Sequence, residues 1–116
     1  MRRDDAVYLR HILDAIVLID QYMSGLDEAA FSANTLVRDA VVRQLEIIGE
    51  ATKHVSSTLR AQNPDVPWQI AAAMRDKLIH DYMGVESSIV WQTVRESLPP
   101  FKNQVQAVLD AIQGNL

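Results

Sequence analysis

Apolar residues recur at intervals of three and four along the first part of the chain, which is the period of an amphipathic α-helix. The first run consists of Leu9, Ile12, Leu13, Ile16, Ile19 and Met23. Asp4 and Asp5 precede it and are suitable caps for a helix N-terminus, while Gly25 suits the position just past the C-terminus. The pattern therefore predicts a first helix that ends before Gly25.

A second, longer helix is predicted after a connector over residues 26–35. The connector has room for one short helical turn, and Asn34 or Thr35 is placed to cap the helix that follows. No proline or other strong helix breaker occurs before Pro64. The second helix is therefore expected to run to about Arg60 as the longest element of the chain.

This second helix is apolar around a wide arc. Its apolar positions are Val37, Val41, Val42, Leu45, Ile47, Ile48, Ala51 and Val55. Because the arc exceeds a single stripe, one side can pack in its own bundle while another faces a second copy of the chain, which predicts a homodimer. The opposite face carries a polar strip of Asp39, Arg43, Glu46, Glu50 and Lys53. We interpret the strip as an exposed ladder of ion pairs, such as Arg43 with Glu46.

Three further helices are predicted in the remainder of the chain. Pro67 is well placed as the first residue of a helix that continues over about residues 68–82. Ser87 or Ser88 can cap a fourth helix. The proline pair at residues 99–100 is expected to end the fourth helix and start a fifth.

Length and composition agree with one helical domain. A chain of 116 residues is long enough for one core and too short for two ordinary domains, so residues 1–116 are taken as a single domain. Short connections favour antiparallel neighbours, hence an all-α, up-and-down bundle of about five helices.

Cysteine is absent, which excludes disulfides and thiolate metal sites. No apolar stretch approaches the ~20 residues that span a bilayer, and the N-terminus turns acidic where a signal peptide turns apolar, so we expect a cytoplasmic protein without membrane contact.

One segment, over residues 75–82, concentrates chemically active side chains. It brings a guanidinium, an imidazole and a phenol into the end of one predicted helix. Arg75 and Tyr82 share a helical face, whereas His80 lies about 140° around the axis from Arg75. Asp76 lies one turn before His80, where its carboxylate can hydrogen-bond the ring and favour the charged form. The net charge of −4 argues against a broad basic surface for nucleic acid but allows a small basic site such as this one.

Ordinary structural roles compete with catalysis at these positions. Arg75 and Tyr82 can be amphipathic residues with buried stems and solvated tips, and His80 can interact with the C-terminal end of its helix. A metal-binding bundle is disfavoured because His11, His54 and His80 show no carboxylate–histidine spacing repeated across helices. Neither a metal nor another cofactor is therefore expected.

The segment resembles the signature of the HEPN superfamily, in which an arginine and a polar residue are followed, after a short spacer, by a histidine. Tyr82, two positions after His80, resembles the form of this motif in HepT toxins, which are encoded beside minimal nucleotidyltransferase antitoxins. Asp76 stands where many relatives carry asparagine. The resemblance covers most of the chain, since three further segments are similar to the family pattern. They are Arg43–Ala51, Pro67-Trp68, and Val90-Trp91 with Leu98-Pro99.

The resemblance implies a metal-independent ribonuclease that is the toxin of a type II toxin–antitoxin pair. The RNA's own 2′-hydroxyl would attack the adjacent phosphate, with His80 moving a proton as general base or acid and Arg75 holding the phosphate. Asp76 would have a supporting polar role. In a homodimer, Arg75 of one chain can work beside His80 of the other in a shared cleft, which removes the obstacle of their 140° separation.

Tyr82 has a regulatory role by the same resemblance. The partner nucleotidyltransferase would transfer AMP from ATP to its hydroxyl, and the bulky anionic adduct would take the place of the RNA phosphate beside Arg75 and His80. The alternative is a non-catalytic helical dimer that serves as the binding subunit of a nucleotidyltransferase. Under that hypothesis Arg75 and His80 bind phosphate or nucleotide without cleaving RNA.

Overall fold

The computed structural model describes residues 3–69 and 87–114, and the regular secondary structure in those ranges is entirely helical. The elements are α1 (Arg3–Met23), α2 (Glu28–Ala33), α3 (Thr35–His54), α4 (Ser57–Gln62), α5 (Ser87–Gln92), a π-helical segment (Thr93–Ser97) and α6 (Leu98–Gly114). The all-α fold class is therefore confirmed. None of the helices in this part of the chain is long and apolar enough to cross a lipid bilayer.

The apolar pattern of α1 identifies its buried face correctly, but the expected caps are wrong. All six apolar positions predicted for α1 belong to the core. Asp4 and Asp5 both lie inside the first helical turn, where their negative charge interacts favourably with the helix dipole. Asp5 is buried and accepts hydrogen bonds from the backbone N–H of Ser56 at 2.8 Å and from the Ser56 hydroxyl at 2.7 Å. Gly25 adopts a φ of 78° just past the end of α1, as its position predicts.

The predicted second helix is divided in two. Val55 leaves the helical conformation, with φ −64° and ψ 135°, and α4 begins two residues later. The Ser56 side chain caps α4 by accepting the backbone N–H of Leu59 at 3.2 Å, while Asp5 accepts from Ser56 itself. The expectation of one helix to about Arg60 is therefore wrong. The helix ends without a proline or glycine because the Ser56 side chain and the Asp5 carboxylate accept the backbone N–H groups of Leu59 and Ser56 at the break.

The connector before α3 follows the sequence expectation more closely. It holds the short helix α2, capped by Asp27, whose side chain accepts the N–H of Ala30 at 2.8 Å. Asn34 then caps α3 by accepting the N–H of Val37 at 3.1 Å. Polar residues with short acceptor side chains therefore determine both helix starts.

The two prolines do not separate two helices, because the chain remains helical from α5 through the π segment into α6. Pro99 and Pro100 lack the N–H groups that would bond the carbonyls four residues earlier. Directly before them the backbone hydrogen bonds of the helix shift by one residue, and the Leu98 N–H donates to the carbonyl of Thr93, five residues back. The wider π turn keeps the helix continuous where the ordinary ladder would be interrupted.

Helix α1 packs against both α3 and α6. Near the start of α1, Asp5 meets Ser56 just beyond the end of α3, and near the end of α1, Asp20 lies 4.0 Å from Lys102 at the start of α6. Both pairs are therefore antiparallel, as an up-and-down bundle requires. Helix α2 adds the fully buried Phe31 to the same core.

The wide apolar arc of α3 is largely covered within the chain itself. Its buried members are Val41, Val42, Leu45, Ile48, Ala51 and Val55, and Val37 and Ile47 pack partly against the same core. Leu36, at the start of α3, is 80% exposed. The packing of one chain thus accounts for most of the arc, and the homodimer remains a prediction.

Candidate functional site

The four residues of the predicted site, Arg75, Asp76, His80 and Tyr82, lie outside the described residues. Their mutual geometry therefore stays a prediction. The structure instead shows how the chain is held immediately before and immediately after the segment that contains them. It also shows a polar groove between α1 and α3.

Trp68 fixes the chain before the motif segment. Its side chain is 5% exposed, its Nε1 donates to the carbonyl oxygen of Asn63 at 3.0 Å, and its ring meets Phe101 of α6 edge to face at 6.4 Å. The side-chain amide of Asn63 donates in turn to the carbonyl of Leu59. Helical conformation begins at Trp68, one residue after Pro67 and within one residue of the predicted start. The chain thus approaches the motif from a turn packed against α6.

Contacts with α2 fix the chain after the motif segment. Ser87 and Ser88 lie inside α5, so the prediction that one of them caps this helix is wrong. The hydroxyl of Ser87 instead pairs with that of Ser32 in α2 at 2.8 Å. The Trp91 ring lies 5.6 Å from that of Phe31, and the Arg95 guanidinium lies 5.3 Å from the Trp91 ring centre. These contacts hold α5 against α2.

A groove between α1 and α3, with a volume of about 280 Å³, brings together polar side chains of several types. We name it the α1–α3 groove. It is lined by Tyr8 and His11 from α1 and by Arg43, Glu46, Ile47, Glu50, Ala51 and His54 from α3. Helical spacing explains the set, because residues three or four apart on α3 share a face that the antiparallel α1 borders.

Three aromatic rings meet at one end of the groove. The Tyr8 and His54 rings are stacked, with centroids 5.0 Å apart and 20° between their planes. The His11 ring is perpendicular to that of Tyr8, with centroids 5.9 Å apart. Nε2 of His54 lies 3.2 Å from Oε1 of Glu50, and the two side chains are 53% and 50% exposed. The His54 ring is therefore held by a stacking contact and by a carboxylate while remaining accessible.

The remaining charges belong to an ion pair on α3. Nη1 of Arg43 lies 3.5 Å from Oε2 of Glu46, which confirms the pair predicted from their spacing. No group of three or more histidine, aspartate or glutamate side chains in the described ranges is arranged to hold a metal ion.

The groove was not predicted from the sequence. The sequence suggests His11 and His54 only as possible metal ligands, and it places Arg43, Glu46 and Glu50 in an exposed polar strip. The available signal was the position of His54 one turn after Glu50 on the same helical face. The stacking of Tyr8 on His54 joins residues 46 positions apart in the sequence and depends on how α1 and α3 pack.

The described helices agree with the all-helical fold that the HEPN resemblance of residues 75–82 implies. The family model described as ribonuclease HepT-like matches residues 12–108, which is most of the chain and includes the motif. The chain therefore belongs to the ribonuclease HepT-like family.

Curated relatives agree with this assignment. A protein named "Probable ribonuclease HepT" from Thermococcus cleftensis is 39% identical over 106 residues, which are 91% of this chain and 96% of that protein. A protein named as a putative RNase from Caldanaerobacter subterraneus subsp. tengcongensis is 39% identical over 88% of this chain and 91% of its own length. A protein from Methanocaldococcus jannaschii, named "Gamma-glutamylcyclotransferase and putative RNase", is 36% identical over 99% of this chain, which spans only 52% of that protein. No solved structure matches the chain significantly.

Proposed function

We propose that this chain is a metal-independent ribonuclease and the toxin of a type II toxin–antitoxin pair that acts in the cytoplasm. The observation that carries the proposal is the family match over residues 12–108, a range that contains Arg75, Asp76, His80 and Tyr82. The ribonuclease names of relatives that align with nearly the whole chain support the same activity.

The cleavage chemistry needs few protein groups because the nucleophile belongs to the substrate. An imidazole of His80 takes the proton of the RNA 2′-hydroxyl as its oxygen attacks the adjacent phosphorus. The bond from phosphorus to the 5′-oxygen of the next nucleotide breaks, and a protonated imidazole returns a proton to that oxygen. The products are a 2′,3′-cyclic phosphate and a 5′-hydroxyl. Arg75 pairs with the phosphate oxygens as their charge develops, and Asp76 orients His80 through a hydrogen bond.

A homodimer can bring the two groups that this reaction uses, the guanidinium of Arg75 and the imidazole of His80, into one cleft. In the proposed cleft, Arg75 of one protomer lies beside His80 of its partner, and the twofold axis brings both pairs together. Such a site also agrees with the acidic net charge of −4, since only the cleft needs to be basic.

Neutralisation is proposed to occur at Tyr82. The phenolic oxygen attacks the α-phosphorus of ATP, pyrophosphate leaves, and the nucleotidyltransferase antitoxin accepts the phenolic proton. The AMP that is attached adds a negative phosphate and a nucleoside beside Arg75 and His80. The adduct would then pair with Arg75 and exclude the RNA phosphate.

The experiment that tests the activity uses purified protein free of attached AMP, total RNA and an excess of EDTA. We expect cleavage by the wild type, with 2′,3′-cyclic phosphate ends, and loss of cleavage in Arg75→Ala and His80→Ala with the helical circular dichroism unchanged. Arg10→Ala, which removes an exposed arginine of α1, is the matched control and should cleave normally. An unmodified wild type that leaves all RNA intact would refute the ribonuclease and favour the non-catalytic binding subunit.

A further inference from the structure

The α1–α3 groove has no part in the proposed cleavage chemistry, yet its side chains are suited to an aromatic ligand. Its planar groups are the rings of Tyr8, His11 and His54 and the guanidinium of Arg43. Aromatic rings, imidazoles and arginine planes are the groups on which unpaired RNA bases stack. The volume of about 280 Å³ lies just below the range of roughly 300–1,000 Å³ for ligand pockets, which suits a group the size of one base.

The imidazole of His54 is held in place before any ligand arrives. One contact is the stacked Tyr8 ring at 5.0 Å, and the other is Glu50 at 3.2 Å from Nε2. A side chain held in this way loses little rotational freedom when a ligand binds. Because 53% of the His54 side chain remains exposed, its ring is available for a further stacking contact.

The carboxylates determine which edge of a ligand the groove can accept. Glu46 and Glu50 line the groove with carboxylate oxygens, which accept hydrogen bonds, and Arg43 lies 3.5 Å from Glu46. An amino group of a ligand can therefore donate hydrogen bonds to the groove. Among the RNA bases, adenine, cytosine and guanine carry an exocyclic amino group. Uracil instead presents two carbonyl oxygens on either side of its single N–H.

We infer that the α1–α3 groove binds one unpaired base of an RNA strand and prefers bases with an exocyclic amino group over uracil. In this arrangement the base stacks against the ring cluster of Tyr8, His11 and His54, and its amino group donates to Glu50. The assignment to RNA rests on the proposed ribonuclease function, whereas the recognition of a base rests on the groove alone. The groove would then influence which nucleotide of a flexible strand is held by the protein.

The first test measures base binding without any cleavage. Adenosine, cytidine and uridine are titrated into the full-length wild-type chain labelled with ¹⁵N, and the signals of His11 and His54 are followed by NMR. We expect adenosine and cytidine to shift these signals and uridine to bind about five-fold more weakly or less. Glu50→Gln should remove the preference, and His54→Ala should weaken adenosine and cytidine by about five-fold or more. Glu28→Gln, an exposed glutamate of α2 outside the groove, is the matched control and should behave as wild type.

Three results would overturn the inference. The three nucleosides could bind equally well, they could shift only signals outside the groove, or both groove variants could bind them as the wild type does. The second test extends the comparison to RNA with 2′-O-methyl hexamers of adenylate, cytidylate and uridylate, which lack the attacking hydroxyl and cannot be cleaved. If the hexamers do not displace a bound nucleoside from the groove, the assignment to RNA is overturned. Nucleoside binding by a protein that leaves RNA intact would refute the ribonuclease alone, and RNA cleavage without nucleoside binding would refute the groove assignment alone.

Discussion

The tie between Asp5 and Ser56 provides a stability prediction that can be compared with an adjacent control. Asp5 is 4% exposed and accepts two hydrogen bonds from Ser56, at 2.8 Å and 2.7 Å, across the junction of α3 and α4. Asp5→Ala removes both bonds and leaves the part-buried Ser56 N–H without its acceptor. Asp4→Ala removes the same charge from the same helical turn, but from an exposed side chain.

The expected size of the effect follows from these contacts. A hydrogen bond to a charged group contributes about 1.5–3 kcal/mol net, and the cost of burying the carboxylate offsets part of the sum of two. We therefore expect Asp5→Ala to lower the free energy of unfolding by about 2–4 kcal/mol. Asp4→Ala should lose only its interaction with the helix dipole, about 0.3–1 kcal/mol. Asp5→Asn keeps one acceptor for the Ser56 N–H and should lie between the two.

Urea unfolding followed by circular dichroism measures the difference. With a slope of roughly 2 kcal/mol per molar urea, the Asp5→Ala midpoint should fall by about 1–2 M without a change of slope. In a double-mutant cycle, Ser56→Ala should cost less in Asp5→Ala than in the wild type, because only the loss of the α4 cap, about 0.5–2 kcal/mol, then remains. If Asp5→Ala and Asp4→Ala had the same midpoint, the reasoning about the buried tie would be refuted.

Three further predictions concern the assembly, the modification and the anchor before the motif. Light scattering should give the mass of a homodimer at micromolar concentration, and a monomer would contradict the shared cleft. Incubation with ATP, magnesium and the cognate nucleotidyltransferase should add AMP to the wild type and not to Tyr82→Phe. The Tyr82→Phe variant should still cleave RNA. An adduct on Tyr8 or Tyr22 would overturn the assignment of Tyr82 as the AMP acceptor. Trp68→Phe should lower the free energy of unfolding by about 1–2 kcal/mol in urea melts, because it loses the hydrogen bond to Asn63 and part of the buried ring. An unchanged melt would show that this contact does not stabilise the fold.

Periodicity predicted the buried faces of the helices, whereas their ends depended on contacts between distant residues. The apolar run of α1 is buried as expected because a stripe at helical spacing can only be covered by packing against other elements. The break at Val55 was missed because its decisive acceptor, Asp5, is 51 residues from Ser56 in the sequence. The π segment was missed because prolines were expected to end a helix, whereas a shift of one residue in the ladder kept it continuous.

The same distinction applies to the functional residues. Arg75, His80 and Tyr82 could be proposed from the sequence because they lie close together in a motif that resembles a family signature. The α1–α3 groove has no local motif, since Tyr8 meets His54 only through the antiparallel packing of α1 and α3. The pairing of Arg43 with Glu46 was predictable, because both lie on one helix at a spacing that brings their side chains together.

The most direct measurement of the proposed shared active site combines two inactive variants. Arg75→Ala and His80→Ala are unfolded together, refolded as a mixture and assayed for RNA cleavage in EDTA beside each variant alone. If Arg75 of one protomer works with His80 of its partner, each mixed dimer has one intact site, and the mixture should recover up to about a quarter of the wild-type activity. Mass spectrometry can establish that mixed dimers have formed. If the mixed dimers then leave RNA intact under conditions in which the wild type cleaves it, the active site does not combine these residues across the dimer.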